Sequence, residues 1–518
     1  MSRTWSKYQN QVFEHVETAE GNGLVEACPG SGKTTVIEEA IKRVDISESV
    51  LAISFTRSIR DELRKRLGHM HNVSVHTLNS FGNSACRPLG WYKLNEDKVK
   101  NILKFDIFNL TRDGYNKEQY KRFCATVGPI TKLVSLAKAH MMFDTFRDFA
   151  KHWQGLADTY DVAIPTDFSI SEFEGWLLFT HKLDQEKAKV IDYDDQIAIP
   201  LRRGFPIEQF DRIFVDEAQD LTPAQIELTR RALGPNGRAL YVGDRKQAIY
   251  QFRGADSRAM DNIAEAMDCK ALPLSICYRC SKAVVRAAQQ VFPDIEAWEG
   301  SPEGSETAVE EKIFKANAQP GDVVLCRTTA PIVQMCLWFI RHGIKAVVKG
   351  RDIGQNLKDL IVNLAGEQGP VEVLQDKLRQ YYDQETEKNK RNDRESKQIN
   401  LQDRIDTILA IMDGCKTIEQ VLKAFDKIFG DEDRTGITLM TIHKAKGLEA
   451  PRVWILRPDL MPHKMAKSPE AQLAEKNIKF VAITRAQIDL VWVLPNIKQQ
   501  EDVDYDGTID DDSGDDGA

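Results

Sequence analysis

The nine residues from Ala27 to Thr35, ACPGSGKTT, constrain this chain more than any other stretch. Gly30 and Gly32 let the backbone bend close to an anion, and Lys33 brings an ammonium to the same place. Upstream, Gly23 to Ala27 (GLVEA) reads as a short buried strand; downstream, Val36 to Val44 (VIEEAIKRV) has the apolar spacing of a helix. Strand, glycine-rich loop and helix start, in that order, make a cradle of backbone amides for a polyphosphate. Ala27, Cys28, Pro29, Gly30, Ser31, Gly32, Lys33, Thr34 and Thr35 are therefore the candidate nucleotide loop. Lys33 would reach the β and γ oxygens, and the Thr34 hydroxyl would hold Mg2+. Ala27 stands where the general pattern has glycine, so the loop alone specifies an NTPase and no more.

Other apolar runs have the content of buried parallel strands: Val50 to Phe55, Arg212 to Val215, Ala239 to Val242, Val323 to Cys326, Ile437 to Thr441 and Val453 to Leu456. Helical segments separate them, which predicts an α/β architecture. Two stretches interrupt the rhythm. Cys86 to about Asp184 is helical in pattern and rich in aromatics, and Asp352 to about Arg434 is helical and highly charged; both read as insertions into sheet domains.

Between Trp91 and Lys151 there are twelve Lys and Arg against seven Asp and Glu, interleaved with aromatic residues such as Tyr92, Phe105 and Tyr120. That composition suits single-stranded nucleic acid, and it equally fits an ordinary amphipathic helical domain. The net charge of -8 is set by the end of the chain, since Glu501 to Asp516 carries nine acids and no base. This tail is expected to be disordered, either as a solubilising appendage or as a contact for a protein partner. The nine cysteines are scattered, with Cys277 and Cys280 as the one CxxC pair, and without a second pair a zinc site is not expected. No apolar run approaches membrane-spanning length, and the start MSRTWSKYQNQVF lacks a signal-peptide core. A soluble, cytoplasmic protein with no membrane partner is the expectation.

A second half of a nucleotide site appears in Phe210 to Asp220, FDRIFVDEAQD, where a buried strand ends in adjacent carboxylates. Asp216 is suited to Mg2+ and Glu217 to orienting and deprotonating the attacking water. With VDEAQD, the segments VGDRKQAIYQFRGA (242–255), MTIHKAKGLE (440–449) and VAITRA (481–486) resemble the ordered motifs of superfamily 1 helicases of the UvrD, PcrA and Rep type. The resemblance runs to about Leu494, strong in the motor motifs and weak in the two helical insertions. It implies two RecA-like P-loop NTPase motor domains with helical insertions, ATP between them, and one DNA strand across their upper face. The implied division is 1–85 and 185–272 for the first motor domain, with 86–184 inserted. Residues 273–351 and 435–498 form the second, with a reduced insertion at 352–434, and 499–518 is the acidic tail.

Residue roles follow from the same resemblance. Gln9 in WSKYQ matches the adenine-reading glutamine, and Tyr278 in LSICYRCS matches the tyrosine that stacks on adenine. Arg279 matches a γ-phosphate contact, Arg485 the arginine finger, Gln247 a γ-phosphate sensor and Glu449 a ribose contact. Phe55 and Thr56 in SFTRSIR, His76 and Thr77 in SVHTLNSF, Tyr250, Phe252 and Arg253 in IYQFRGA, and His443 in TIHKAKG match strand-binding positions. Core packing is the duller account of Phe55 and Phe252. Three departures stand out: Thr35 where some relatives have an adenine-sandwiching arginine, Cys277 where the family has asparagine, and a second insertion shorter than the family's duplex-gripping domain. The resemblance thus implies an ATP-dependent, Mg2+-requiring 3′-5′ single-stranded DNA translocase and helicase, acting on single strands and on single-strand/duplex junctions. The alternative is a translocase that strips proteins or remodels recombination intermediates without unwinding.

Overall fold

The computed structural model describes residues 4–495 apart from 19, 91, 111–115, 161, 163, 166–167, 188, 250–257, 392–394, 430–435, 465 and 468. Tyr250, Phe252, Arg253 and the acidic tail therefore lie outside the described residues. Two six-stranded, all-parallel sheets organise the rest. The first contains β1 (Asn22–Ala27), β2 (Val50–Ser54), β3 (Val73–Thr77), β4 (Phe210–Val215), β5 (Leu233–Gly243) and β6 (Cys269–Leu274), in the order β3-β2-β4-β5-β1-β6. The second contains β7 (Ser305–Glu310), β8 (Val323–Cys326), β9 (Ala346–Val348), β10 (Ile437–Thr441), β11 (Ala450–Leu456) and β12 (Ala486–Leu494), in the order β7-β12-β11-β8-β10-β9.

Side chains that alternate along a strand face opposite layers, and both layers of the first sheet are apolar. Val25, Ala52 and Val242 face Val12 and Phe13 of helix Lys7–Thr18 and Ile37 and Ile41 of helix Lys33–Lys42. Their neighbours Leu24, Ile53 and Tyr241 face Phe81, Leu228 and Ile263 on the other side. Each fully buried aliphatic side chain contributes roughly 1.5–3 kcal/mol, so the strand register that aligns Val25 with Val242 is strongly specified. Because every pairing is parallel, the carboxyl ends of all six strands share one rim, where α/β sheets carry their ligands.

The two helical regions differ in how they are held. Between β3 and β4, helices Lys117–Ala139, Ala150–Thr159 and Ile170–Glu186 enclose a core of their own around Leu133, Trp153, Phe173 and Leu177. Between β9 and β10, helices Arg351–Ala365, Val371–Arg391, Glu395–Met412 and Ile418–Ile428 share one core with the second sheet, where Leu378, Ile408 and Phe425 join Val324, Leu439 and Trp454.

A buried ionic cluster ties the first helical region to helix Asp195–Arg203, which packs on the first sheet. Lys98 Nζ lies 2.5 Å from Asp195 Oδ2 and 3.0 Å from Asp184 Oδ1. Lys138 Nζ lies 3.0 Å from Asp184, 2.7 Å from Asp192 and 2.9 Å from Asp195. Burial pushes the Asp192 carboxyl up to about 6, with Asp195 and Asp184 adding to the effect of desolvation and Lys138 opposing it. The three carboxylates come within 4.8 Å of one another, but the two ammonium groups already fill the space a cation would take. Among the described residues, no helix is long and apolar enough to cross a membrane.

Candidate nucleotide site and nucleic-acid interface

The loop after β1 is shaped by its glycines. Gly30 has φ 69° and Gly32 φ 82°, in the left-handed region, and a Cβ on Gly30 would fall 2.4 Å from the Arg279 Cβ. Both the turn and the close approach therefore require glycine at position 30. Gly32 caps helix Lys33–Lys42 without any side-chain hydrogen bond, leaving the first amides of that helix for an anion. The Ser31 Oγ is buried without a hydrogen-bond partner, a donor that a phosphate oxygen would satisfy. Ala27, Cys28 and Pro29 are buried beneath the loop, while Thr34 and Thr35 are half-buried on the first helical turn.

β4 delivers its two carboxylates to the same place. Lys33 Nζ is 3.0 Å from Glu217 Oε2, and Thr34 Oγ1 is 3.5 Å from Asp216 Oδ2. Glu217 holds φ 54°, an uncommon backbone for a glutamate, and its carboxylate also accepts from Gln219 Nε2 at 2.5 Å. Burial would lower the Lys33 pKa, but Glu217, Asp216 and Asp244 outweigh it and raise it. Desolvation would raise Glu217, yet Lys33 and Lys446 hold it down at about 2, whereas desolvation and the Glu217 charge push Asp216 up to about 6. The pair is thus an ionised carboxylate engaged by Lys33, beside an acid whose ionised form lacks a sufficient cation. A hydroxyl and a carboxyl facing each other, with the carboxyl short of positive charge, suit Mg2+.

A chain of hydrogen bonds leads from this pair to the second sheet. Gln219 Oε1 accepts from the Asp244 amide at 2.9 Å, Gln247 Nε2 donates to Asp244 Oδ2 at 2.7 Å, and Arg485 Nη2 donates to Gln247 Oε1 at 3.2 Å. Arg485, at the start of β12's approach, is also fixed by Leu448 O and Val481 O at 3.1 and 3.0 Å. Desolvation and the nearby Arg279 charge lower its pKa to about 10, leaving it cationic at neutral pH. Lys446 crosses the same gap to Asp220 at 2.7 Å.

The remaining candidates fall into pairs. Gln9 is buried and accepts from the Tyr278 hydroxyl at 3.4 Å, and Tyr278 N donates to Gly30 O at 2.9 Å. Arg279 and Glu449 are ion-paired with each other, and Glu449 also accepts from Gln487 Nε2 at 3.0 Å. Sequence reading singled out neither Gln219, Asp220, Asp244 nor Lys446 for a role. Each lies inside a quoted motif, but its partner is distant in sequence.

Phe55, Thr56, His76 and Thr77 sit together at the carboxyl ends of β2 and β3, where Ser54 aligns with Thr77 and the Asp216 amide donates to Ile53 O at 3.0 Å. Phe55 is 40% exposed, so its ring is not core packing. Thr56 and Thr77 cap helices Arg57–Leu67 and Leu78–Ala85, accepting from Ile59 N and Ser80 N, which uses one acceptor site of each hydroxyl locally. His76 and His443 are half-buried; desolvation lowers both, and with Arg327 brings His443 down to about 3, so at neutral pH both imidazoles are uncharged.

Two parallel sheets with a phosphate-binding loop on the first and a buried arginine reaching from the second define a P-loop protein of two RecA-like domains. The chain belongs to the UvrD/REP helicase family: the UvrD/REP helicase N-terminal domain matches residues 5–268 and the UvrD-like helicase C-terminal domain matches residues 351–494. It is similar to a probable DNA helicase II homolog of Mycoplasma pneumoniae, 24% identical over 333 residues, 56% of this chain and 42% of that protein. It is similar also to the ATP-dependent DNA helicases PcrA of Leuconostoc citreum, 25% identical over 311 residues (55% and 38%), and Staphylococcus epidermidis, 27% over 309 (55% and 39%). The chain spans about two fifths of the length of these relatives.

Proposed function

We propose that this chain is an ATP-dependent DNA helicase that moves along single-stranded DNA in the 3′-5′ direction and acts at single-strand/duplex junctions. The observation that carries the reading is the continuous line from Lys33 and Glu217 through Gln219, Asp244 and Gln247 to Arg485, which joins the phosphate loop of one sheet to a cation of the other. Residues 1–85 and 185–272 act as one motor domain and 273–351 and 435–498 as the other.

In this reading the amides of residues 30–34 and Lys33 bind the phosphates, Gln9 and Tyr278 hold the adenine, and Glu449 meets the ribose. Thr34 and Asp216 would hold Mg2+, which supplies charge neutralisation on the β and γ oxygens when bound. Lys33 leaves Glu217 for the phosphates, freeing that carboxylate to take the proton of the attacking water. Arg279 leaves Glu449 to meet the γ phosphate, and Arg485 stabilises the charge that develops there. Gln247, bonded to both Asp244 and Arg485, passes the state of the site to the following segment 248–255, whose Tyr250, Phe252 and Arg253 would contact DNA with Phe55, Thr56, His76, Thr77 and His443. Bases stack on the aromatic faces without sequence preference, and neutral His76 and His443 bind phosphates by hydrogen bonding.

Unwinding of 3′-tailed against 5′-tailed duplexes tests activity and polarity together: release from the 3′-tailed substrate alone is expected, and release from the 5′-tailed one alone overturns the polarity. A second reading, translocation that remodels protein–DNA complexes without unwinding, is favoured by one observation. The helices between β9 and β10 share the core of the second sheet and so lack the independence of a swinging duplex-gripping domain. ATP hydrolysis on single strands with no strand release would select it.

A further inference from the structure

The turn Arg245–Gln247 leaves the end of β5 in the first sheet, yet it is also gripped from the second. On its own side, the Asp244 carboxylate accepts from Gln247 Nε2 at 2.7 Å, and Arg245 pairs with Glu26 and Asp261 at 2.6 and 2.8 Å. The chain packed on the second sheet adds contacts of several kinds. Arg485 Nη2 donates to Gln247 Oε1 at 3.2 Å. The Lys246 ammonium is ion-paired with Asp294 and lies 5.3 Å from the centre of the Phe292 ring. Ile249 is buried in one apolar cluster with Ile478 and Phe480. Asn477, only 4% exposed, donates from Nδ2 to Ala248 O at 3.3 Å and to Arg245 O at 3.4 Å.

The Asn477 contact differs from the others in addressing the main chain. Carbonyl oxygens only accept, so the NH2 end of the side chain must face them, and its two hydrogens match the two acceptors. Those carbonyls flank Gln247, one belonging to Arg245 and the other to Ala248. Asn477 stands on helix Pro469–Ile483, one turn before Val481, whose carbonyl accepts from Arg485 Nε at 3.0 Å. One face of this helix therefore fixes the Arg485 guanidinium and, a turn earlier, the backbone around Gln247.

We propose that Asn477 is a positioning residue that makes the turn 245–248 travel with the second sheet, and so couples the nucleotide site to the strand-binding segment that follows the turn. The proposal rests on reading Gln247 and Arg485 as γ-phosphate groups and Tyr250, Phe252 and Arg253 as strand contacts. In that reading Arg485 turns towards the charge that develops on the γ phosphate, and its bond to Gln247 is given up in the exchange. The Asn477 bonds end on main-chain oxygens and use no atom that the phosphate would claim, so they persist while the Gln247 bond is remade. A displacement of helix Pro469–Ile483 is then passed into the backbone at Ala248, two residues before Tyr250, without relying on the Gln247 side chain alone. Burial of Ile249 beside Ile478 and Phe480 of the same helix holds the next residue to the same motion.

The test uses the full chain with Asn477→Leu, which keeps a branched side chain and removes both bonds. ATPase is measured across ATP concentration with and without a single-stranded oligonucleotide, and hydrogen–deuterium exchange is followed at the amides of residues 245–249. The DNA-stimulated kcat should fall by about tenfold, within the usual range for coupling between two sites, while the DNA-free rate and the KM for ATP stay as in the wild type. Coupling is reciprocal, so the change in oligonucleotide affinity produced by a non-hydrolysable ATP analogue should shrink as well. Exchange at 245–249 should rise in the nucleotide-free variant. A merely structural loss would lower the stimulated and DNA-free rates in step, so an unchanged ratio of the two overturns the proposal, as does unchanged exchange. Should circular dichroism show the leucine variant unfolded, Asn477→Ala is measured in the same way. A wild-type protein without ATPase refutes the ATP reading and the coupling with it, and leaves the exchange to decide whether Asn477 holds the turn.

Discussion

Replacing Lys138 by methionine isolates the energetics of the buried cluster that joins the first helical region to the helix packed on the first sheet. The wild-type group holds two ammoniums and three carboxylates, and Lys138 touches all three carboxylates at 2.7–3.0 Å. Methionine nearly conserves the side-chain volume, so the change is chiefly one of charge: three buried carboxylates then face Lys98 alone. Breaking a buried pair by removing one partner costs about 3–5 kcal/mol, and because one ammonium serves all three carboxylates the expected value lies at the upper end at pH 8. The pH dependence has a definite sign. Asp192 already titrates near 6 because of burial, and without Lys138 it titrates higher, above its unfolded value of 3.8. An acid raised on folding favours the native state when protonated, so the variant's deficit should shrink as pH falls towards 6 and grow as it rises above. Urea unfolding at pH 6 and pH 8, followed by the fluorescence of the eight tryptophans, of which Trp153 lies in the helical core, measures this. Lys138→Met/Asp192→Asn should regain part of the loss at pH 8. A single-variant loss below about 1 kcal/mol, or a deficit that grows on acidification, would refute the electrostatic account.

Lys33→Ala and Glu217→Gln should each lower DNA-stimulated ATPase, Glu217→Gln by about 10²–10⁴-fold with fluorescent-nucleotide binding retained, since a base is removed while the phosphate-binding groups stay. Arg485→Ala should cost roughly 10³–10⁵ in turnover; single-turnover hydrolysis reads the step, and a change under tenfold would remove Arg485 from that role. Phe55→Ala should weaken oligonucleotide binding by about 1–3 kcal/mol for a missing stack, seen as equal loss on homopolymers of different base by fluorescence anisotropy. The same titrations across salt should give a slope near -0.7 per neutralised phosphate, and a flat response would argue against an electrostatic track.

The candidate site residues that the structure brings together were legible where chemistry forces a local pattern. The glycines of the loop have to turn and to let Arg279 approach, and β4 has to end in carboxylates, so both appear as contiguous motifs. Strands buried on both faces, such as β8 and β10, show as apolar runs with the bounds the sequence suggested. Strands at the sheet margins did not. β6 carries Pro273 and exposes alternate residues, which an edge tolerates, and β7 (SETAVE) is largely exposed against β12. Pairings between distant positions, such as Asp220 with Lys446 or Arg279 with Glu449, leave no trace in spacing. The cluster of Lys98, Lys138 and three aspartates is likewise silent, because each residue alone reads as an ordinary surface charge. That the cores of the two helical regions differ in ownership is a property of packing, and no single segment encodes it.

That difference in ownership bears on how such a chain can be altered. A helical unit with its own core, joined to the first sheet through five charges, the apolar side chains of Met141 and Phe143 and two chain connections, is the more replaceable part: its outer surface can drift with little effect on the sheet beneath. The helices that complete the second sheet's core have no such licence, since any residue facing inward there answers to the strands as well. Novelty in substrate handling should therefore accumulate on the first helical region, and constraint on the second.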